Sequence, residues 1–340
     1  MYDLVTFVEA MIRLSPPNFQ RLEQTSSLDV QIGGAEYNVA CAGSRLGLKT
    51  AWVSRLPDNA LGRRIANKAK EHGVDTSHIV WAKEGRVGLY FLEQGASPRA
   101  SSVLYDRAPS AIAEVKPGEI DWKKILTGAR AFHTTGITPA LSANAAQVTK
   151  ESLEAAKAAG CHLSYDLNFR KKLWSAEQAR KVQEPFMPLL DLLITNEEDP
   201  KAIFGITAAG HDESYATLSA EGYRDIAKKL REKFNLKAVG ITMRESPSVL
   251  RNAWTGIVME GAKVYEERKY ELEIVDRLGG GDSFATGLLY GKLAKNSLEY
   301  GLKFGLAFSA LKHTTPGDIN WATREEVEEL MKGGGARVQR

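Results

Sequence analysis

The sequence has 340 residues, of which 43% are hydrophobic and 26% are charged, and its formal net charge is +3. The 45 basic and 42 acidic residues are intermixed, so there is no block of like charge typical of a surface that binds nucleic acid or membranes. No apolar run approaches the roughly 20 residues needed to cross a bilayer. The length allows one large α/β domain or two smaller ones.

The two cysteines, Cys41 and Cys161, lie far apart in the sequence. They have neither the spacing of metal ligands nor that of a disulfide framework, which predicts a reducing compartment and a cytoplasmic location. The first residues, MYDLVTFVEAMIRL, lack the basic segment of a signal peptide and soon meet charges. We therefore interpret them as a first strand.

Strand-like runs alternate with helical patterns along most of the chain. The predicted strands are 4–8, 51–56, 131–137, 162–168, 191–196 and 238–243. The predicted helices are 37–46, 61–72 and 142–159, and each ends at a glycine, the expected residue just past a helix end (Gly47, Gly73 and Gly160). This alternation predicts a mostly parallel sheet with helices on both faces, and ligands bound beyond the carboxyl ends of its strands.

Two stretches interrupt the alternation. Residues 22–32 and 87–105 are predicted as strands without intervening helices, the second forming a hairpin around 95–99. We expect them to form a small β-sheet lid, at about 13–33 and 87–107, within a single domain spanning 1–332. Residues 208–219 are predicted as a surface loop, and 333–340 as a disordered tail.

The segment RLGGGDSFATG (277–287) places three glycines before an aspartate, where a helix is expected to begin near Asp282 or Ser283. The first N–H groups of a helix lack intrahelical partners, and the helix dipole makes this end positive. Asp282 could simply be the N-cap residue of the helix. Alternatively, the glycines form an anion hole with a base beside it. The segment fits neither a Walker P-loop nor a dinucleotide fingerprint.

The motif DRLGGGDSFATG resembles the C-terminal signature of the ribokinase-like (PfkB) carbohydrate kinases. Residues 33–47, GGAEYNVACAGSRLG, resemble the N-terminal glycine signature of the family, and NFR (168–170) and TNEED (195–199) stand at the expected positions. The resemblance covers nearly the whole chain. It implies a three-layer α/β/α fold with a small β lid, and ATP-dependent phosphorylation of a sugar. Within the family, YDR (105–107), NFR and the N-terminal segment most resemble kinases of 2-keto-3-deoxygluconate.

The resemblance also implies roles for individual residues. Asp282 would be the base that accepts the proton of the attacking hydroxyl, ionised at pH 7 if its pKa is unperturbed. The amides of Gly279, Gly280 and Gly281 would stabilise charge on the transferring phosphoryl group. The sugar-contacting residues would be Gly34, Asn38 and Asp318, and the lid tyrosines closing over the sugar would be Tyr90 and Tyr105.

Arg107 and Arg170 resemble readers of a substrate carboxylate, which an arginine can bind bidentately. Two buried arginines would need an anion, and this argues against a neutral substrate. Taken singly, each is more typical of a surface arginine.

The nucleotide and its Mg²⁺ would lie at the carboxyl edge of the sheet. By resemblance, the residues that contact ATP are Asn168, Arg170, Asn196, Thr242, Arg244, Gly279 and Gly281. Asn196 and Asp199 would hold Mg²⁺ through water, since this ion keeps several of its waters. The family pattern is Asn-x-x-Glu, and Asp199 is a shorter acid. A solvated acidic helix start is the alternative interpretation of TNEED.

Three functional hypotheses follow. The first is a kinase that forms the 6-phosphate of 2-keto-3-deoxy-D-gluconate, with the galactonate configuration left open. The second is a kinase for fructose, ribose or a nucleoside, and the third is a non-catalytic sugar-binding protein. His133 is interpreted as a satisfied core histidine. The family often covers the apolar lid with a second copy, which predicts a homo-oligomer formed through the lid.

Overall fold

The computed structural model describes residues 1–208 and 219–334. The predicted surface loop at 208–219 and the predicted tail at 333–340 fall almost entirely outside the described residues.

Fourteen strands are described. In chain order they are β1 Leu4–Phe7, β2 Met11–Ser15, β3 Asp29–Gly33, β4 Thr50–Pro57, β5 Ile79–Ala82, β6 Gly88–Glu93, β7 Ser102–Asp106, β8 Ala131–Thr135, β9 His162–Asp166, β10 Leu192–Thr195, β11 Ala238–Glu245, β12 Arg251–Glu260, β13 Lys263–Glu266 and β14 Tyr270–Glu273.

The large sheet has the order β13-β12-β11-β10-β9-β8-β1-β4-β5, with β14 paired to β12. The strands from β11 through β5 pair in parallel, whereas β12 is antiparallel to β11, β13 and β14. All six strands predicted in the large sheet are present, so the expected mostly parallel sheet is confirmed.

Ten α-helices are described. They are α1 Ala35–Arg45, α2 Ala60–Glu71, α3 Trp122–Leu126, α4 Ala143–Ala158, α5 Ala176–Gln183, α6 Glu198–Phe204, α7 Ala220–Phe234, α8 Gly280–Lys295, α9 Leu298–Lys312 and α10 Arg324–Met331. Short 3-10 turns lie at Ala111–Glu114, Thr138–Ala140 and Glu184–Leu189. The glycines Gly47, Gly73 and Gly160 have positive φ angles just past their helices, which confirms the predicted helix ends.

The helices cover both faces of the large sheet. One core cluster contains apolar residues of α3 to α7, and a second contains residues of α1, α8, α9 and α10. A third cluster joins α2 to the small sheet. The expected three-layer arrangement is therefore confirmed. Among the described residues, no helix is long and apolar enough to span a membrane.

The small sheet forms the predicted lid, with the order β3-β2-β6-β7. The prediction of a strand over 22–32 is wrong at its start, because β3 begins only at Asp29. Residues 22–28 form turns held partly by side chains, such as Glu93, which accepts a hydrogen bond from the Leu22 amide. The small sheet also contains β2, a strand that begins at Met11 and was not among the predicted strands. The predicted hairpin of β6 and β7 is confirmed.

Two further predictions concern the core. His133 is buried, its Nδ1 lies 3.1 Å from Ser164 Oγ, and burial lowers its pKa to about 3. This confirms that it is a neutral core histidine. Cys41 and Cys161 are both buried free thiols.

Candidate active site

A cleft of about 440 Å³ lies between the lid and the carboxyl ends of the parallel strands. All of the site residues predicted from the sequence line this cleft: Gly34, Asn38, Tyr90, Tyr105, Arg107, Asn168, Arg170, Asn196, Asp199, Thr242, Arg244, Gly279, Gly280, Gly281, Asp282 and Asp318. The position at the carboxyl edge is the one expected for ligands of a parallel α/β sheet.

The three glycines at the start of α8 differ in the surroundings that a side chain would meet at each position. Gly279 has a φ angle of 82°, and a Cβ there would collide with the carbonyl oxygen of Asp318. A Cβ at Gly280 would meet the ring of His313, whereas a Cβ at Gly281 would meet no atom within 4 Å. The glycines therefore admit neighbouring protein groups at the first two positions and leave the backbone open to the cleft at the third.

The helix α8 begins at Gly280, two residues before Asp282, whereas the sequence predicted a start near Asp282 or Ser283. Gly279 is the N-cap residue, and the first intrahelical bond runs from the Ser283 amide to the Gly279 carbonyl at 2.9 Å. The interpretation of Asp282 as the N-cap is therefore wrong. The amides of Gly280 and Gly281 lie in the first turn, where N–H groups have no intrahelical acceptor, so this helix end can bind an anion.

Asp282 is partly exposed at the floor of the cleft. Asn38 Nδ2 donates a hydrogen bond of 2.7 Å to Asp282 Oδ2. Desolvation raises the pKa of Asp282 to about 7, and the negative charge of Asp318 adds to this, while Asn38, Arg170 and Lys312 oppose it. The expectation of an unperturbed carboxylate is therefore wrong: Asp282 is a stronger base, and it is only partly ionised at neutral pH.

Asn38 and Gly34 lie at the start of α1. Gly34 is the N-cap, and a Cβ there would collide with the Glu9 carbonyl oxygen, so the chain can pass only as glycine. Asn38 is buried, and among the described residues its Oδ1 has no hydrogen-bond partner. This oxygen can accept a hydrogen bond from a ligand hydroxyl while the Asn38 amide holds Asp282.

Asp318 joins the lid to the body of the protein. Tyr90 donates a hydrogen bond of 2.5 Å from its hydroxyl to Asp318 Oδ2, and Arg13 donates one of 2.7 Å to Oδ1. Arg13 also pairs with Asp276 at 2.6 Å and is itself buried. The motifs in the sequence do not indicate Arg13 or Asp276 as site residues. The sequence signal was an arginine between apolar residues of a short strand, since a buried charge needs a partner.

The two predicted carboxylate readers differ in their surroundings. Arg107 is nearly buried and forms an ion pair with Glu9, a cleft residue that the prediction missed. Arg170 is exposed, and the one described hydrogen bond of its side chain goes to the neighbouring Phe169 carbonyl. The expectation of two buried arginines that both need an external anion is therefore wrong, because Arg107 has an internal partner and Arg170 is not buried.

Carboxylates gather at the ends of β9 and β10. Asp166, which the sequence prediction missed, has its pKa raised to about 8 by desolvation and by the nearby Asp199 and Asp282. Asp199 is buried, and its Oδ2 accepts a hydrogen bond of 3.0 Å from the Phe169 amide. Asp199 thus does not fit the interpretation of TNEED as a solvated helix start. The only sequence signal for Asp166 was its place at a strand end two residues before Asn168.

Asn196 lies two residues before the helix α6. Its Oδ1 accepts hydrogen bonds of 2.8 Å from the amides of Glu198 and Asp199, so this oxygen is already engaged. Within the described ranges, no group of three or more His, Cys, Asp or Glu side chains could hold a metal ion directly. The oxygen-rich, acidic set still fits an ion held through its waters, because hard Mg²⁺ prefers oxygen ligands and keeps waters.

The opposite wall of the cleft is formed by β11, β12 and the segment before α8. Thr242 and Arg244 extend from β11, and Arg277 lies close enough to Arg244 that the latter's charge lowers the pKa of Arg277, after the larger effect of desolvation. Asn168 lies across the cleft with a positive φ angle of 41°, and its amide donates to Asp166 Oδ1 at 3.1 Å. The two arginines make this wall suitable for phosphate groups.

Comparison with known proteins places the chain among sugar kinases. A 2-dehydro-3-deoxygalactonokinase of Haloferax volcanii is 39% identical over 99% of both chains. The crystal structure of a 2-dehydro-3-deoxygluconokinase from Thermotoga maritima superposes with a TM-score of 0.93 at 45% identity, covering 98% of this chain and 100% of that one. Fructokinase-2 of Solanum lycopersicum is 30% identical over 89% of this chain and 87% of its own length.

The family assignment rests on nearly the whole sequence. Residues 1–324 match the pfkB family carbohydrate kinase, a range that includes every residue placed in the cleft above. The chain belongs to the pfkB family of carbohydrate kinases and is an enzyme that phosphorylates a sugar.

Proposed function

We propose that the protein transfers the γ-phosphoryl group of ATP to the primary hydroxyl of 2-keto-3-deoxy-D-gluconate, giving the 6-phosphate and ADP. The observation that carries this proposal is the position of Asp282, a carboxyl with a pKa raised to about 7, directly beside the open glycine anion hole. The names of the Haloferax and Thermotoga relatives support a 2-keto-3-deoxy sugar acid as the substrate.

In the proposed reaction, Asp282 accepts the proton of the attacking hydroxyl. The hydroxyl oxygen forms a bond to the γ-phosphorus, the bond from phosphorus to the ADP oxygen breaks, and ADP leaves with that electron pair. The amides of Gly280 and Gly281 stabilise negative charge on the transferring group. Asn38 orients the Asp282 carboxylate through its 2.7 Å hydrogen bond.

The acidic end of the cleft would hold Mg²⁺ through water, as predicted for Asn196 and Asp199, with Asp166 as a further residue of the same group. Desolvation, and to a smaller extent repulsion from neighbouring carboxylates, raises the pKa of Asp166 and of Asp199, and a bound cation would favour their ionised forms. When bound, Mg²⁺ would neutralise charge on the phosphates of the nucleotide.

Arg170 is the residue we assign to the substrate carboxylate. It is exposed in the cleft and makes no ion pair within 4 Å in the described structure, whereas Arg107 is paired with Glu9. Arg107 then holds Glu9 in place at the lid. A contact between Arg170 and a nucleotide phosphate is the alternative, because Asp166, Asp199 and Asp282 are all close enough for its charge to lower their pKa values.

The experiment is a coupled assay for ADP formation with a panel of acceptors: 2-keto-3-deoxygluconate, 2-keto-3-deoxygalactonate, gluconate, fructose and ribose. We expect the gluconate-derived keto acid to give the highest kcat/KM. The galactonate epimer is the second candidate, because it is the substrate class in the name of the Haloferax relative. A preference for fructose would contradict the proposal and favour the neutral-sugar alternative, the substrate class in the name of the Solanum lycopersicum relative.

Two finer proposals concern the molecule in the cell. We propose that the protein is a homo-oligomer assembled through the lid, supported by the exposed apolar residues Val30 and Leu104. We also propose that it works in the reducing cytoplasm, supported by its two buried, unpaired thiols.

A further inference from the structure

The hairpin of β11 and β12 presents two side chains to the cleft that the sequence analysis did not single out. Asn252 and Trp254 alternate along β12 and therefore point to the same face, and both line the cleft. Trp254 lies directly opposite Arg244 of β11 in the strand register. Asn252 lies opposite Leu272 of β14.

Asn252 is a buried amide without a partner. The residue is only 2% exposed, and neither Oδ1 nor Nδ2 of its side chain has a hydrogen-bond partner among the described residues. The indole Nε1 of Trp254 also has no partner there, and this residue is 6% exposed. Buried polar groups are normally paired, so unpaired ones in the wall of a cleft indicate a ligand that completes them.

The position of these residues assigns them to one side of the reaction. In the proposed function the acceptor sugar binds on the lid side of Asp282, and in-line transfer then requires the phosphoryl donor to enter from the other side of the anion hole. The ring of Trp254 lies 5.2 Å from that of His313, which is the group nearest a Cβ at Gly280. The β12 face therefore continues outward from the anion hole on the donor side.

The hydrogen-bond donors and acceptors of the two side chains indicate which part of a nucleotide each one binds. Trp254 Nε1, Arg244 and Arg277 can only donate hydrogen bonds, which suits the phosphate chain. The amide of Asn252 has both a donor and an acceptor free. A phosphate oxygen can pair with the donor only, whereas a nucleoside offers donors and acceptors together, on the ribose hydroxyls and on the edge of the base.

We propose that Asn252 binds the nucleoside portion of the phosphoryl donor, through both atoms of its carboxamide, with the Trp254 indole N–H bonded to the adjoining phosphate. This inference rests on the proposed function, since it requires a nucleoside triphosphate as the donor. It names a specificity residue for the nucleotide on a strand that carries none of the residues of the family signatures.

The test uses Asn252→Leu and Asn252→Ala and measures thermal stability with and without ADP. Replacing an unpaired buried amide with an apolar side chain of similar volume removes a desolvation cost, so the ligand-free Tm of Asn252→Leu should equal or exceed that of the wild type. The Tm increase caused by ADP should shrink in both variants, and the increase caused by the sugar acid should remain.

In the kinetic assay, the KM for ATP of Asn252→Ala should rise about tenfold, the loss of one to two hydrogen bonds, with the KM for the sugar unchanged. Thr255→Ala is the matched control: it lies on β12 beside Trp254 but faces the other side, where its hydroxyl donates to the Glu267 carbonyl at 2.9 Å. This control should retain the wild-type KM for ATP.

Donor analogues separate the two possible partners on the nucleoside. If Asn252 binds the base, the wild type and Asn252→Ala should have the same KM for inosine triphosphate. If Asn252 binds the ribose, the two proteins should have the same KM for 2′- or 3′-deoxy-ATP. An unchanged ADP response in both variants would overturn the inference, and so would a lowered ligand-free Tm of Asn252→Leu, which would show a structural role. A wild-type protein that responds to no nucleotide would instead overturn the proposed function.

Discussion

Asp282 lies in surroundings that oppose its negative charge, and this has a direct consequence for the pH dependence of the reaction. Desolvation and the neighbouring Asp318 raise its pKa to about 7, and a base must be ionised to accept a proton. We therefore expect kcat/KM for the sugar, at saturating Mg-ATP, to fall about tenfold for each pH unit below about 7. Rates measured from pH 5.5 to 9 test this, and a level profile between pH 6 and 8 would contradict it.

The variant Asp282→Asn separates the catalytic role from the structural one. The amide keeps the shape and cannot accept the proton, so we expect kcat to fall roughly 10²- to 10⁴-fold while the sugar still binds. The raised pKa means that folding favours the protonated carboxyl. The stability that this preference contributes is present at low pH and is lost as the pH rises toward and through about 7.

The same variant should therefore gain thermal stability relative to the wild type at pH 8 to 9, where the wild type must carry the charge, and gain less at pH 5. Sugar binding measured by the ligand-induced Tm shift controls for misfolding. Turnover within a few-fold of the wild type would rule out Asp282 as the base.

Arg170 and Arg107 allow a matched comparison between a free and a paired arginine in one cleft. Arg170→Ala should lower kcat/KM for the sugar acid roughly 10- to 100-fold, the worth of a charged hydrogen bond, and have little effect on a neutral sugar. Arg107→Ala leaves the buried Glu9 without its partner, so it should lower Tm as well as activity. Equal losses on acidic and neutral acceptors would show that Arg170 does not read a carboxylate, and a raised KM for ATP would assign it to the nucleotide.

At the scale of elements, the start of α8 shows that a motif predicts the presence of a helix better than the residue at which the helix begins. The sequence indicates a helix after the glycines and an anion hole at its end. The helix is present, and the backbone at Gly281 is open to the cleft, as an anion hole would require. The helix nevertheless starts at Gly280 and not at Asp282 or Ser283, because Gly279 takes the left-handed cap position. That choice depends on the contact of Gly279 with the Asp318 carbonyl, 39 residues away along the chain by numbering, which no local pattern contains.

The lid also contains a strand whose formation depends on contacts with distant parts of the chain. The apolar strands β6 and β7 are visible in the sequence, whereas β2 carries Arg13 and is followed by two prolines, a pattern that does not indicate a strand. Arg13 is compatible with a buried strand only because Asp276 and Asp318 pair with it from the far end of the chain. Long-range charge pairing of this kind is set by the tertiary structure, so the sequence alone could not show it.

The glycine anion hole gives a prediction about two adjacent positions. A Cβ at Gly281 meets no atom within 4 Å and opens toward the cleft, so Gly281→Ala should keep or slightly raise Tm, because alanine favours helices. It should still lower kcat roughly 10²- to 10³-fold by blocking the approach of the phosphoryl group to the amides.

Gly280→Ala is the contrasting variant, because its Cβ would press on the His313 ring and should lower Tm. Thermal melts and steady-state rates on both variants decide the matter. An active Gly281→Ala enzyme would show that the phosphoryl group does not approach this amide.

At the scale of the whole molecule, the registers of the lid sort its side chains onto two faces. One row, running across all four strands, consists of Gln31, Arg13, Tyr90 and Tyr105, and its two tyrosines line the cleft. The next row points the other way and consists of Val30, Leu14, Phe91 and Leu104. In this second row Val30 is 42% and Leu104 58% exposed, so the lid presents an apolar strip away from the cleft.

This strip is the surface through which we expect the predicted homo-oligomer to assemble. A second copy placed on the strip by a two-fold axis would bury the same residues on both chains, as an isologous interface requires. The row that contains Tyr90 and Tyr105 lies on the opposite face of the same sheet, so assembly would stiffen the lid that carries Arg13 and Tyr90.

We therefore expect a homodimer, or a multiple of one, with a mass at least twice the 37.3 kDa of the chain. Leu104→Glu places a charge in the strip and should shift the protein to a monomer, with a loss of activity because the unsupported lid holds Asp318 less firmly. Leu61→Glu, at an exposed leucine of α2, is the matched control and should leave the mass unchanged. Light scattering at assay concentration measures both variants, and a wild-type mass near that of one chain would remove the prediction.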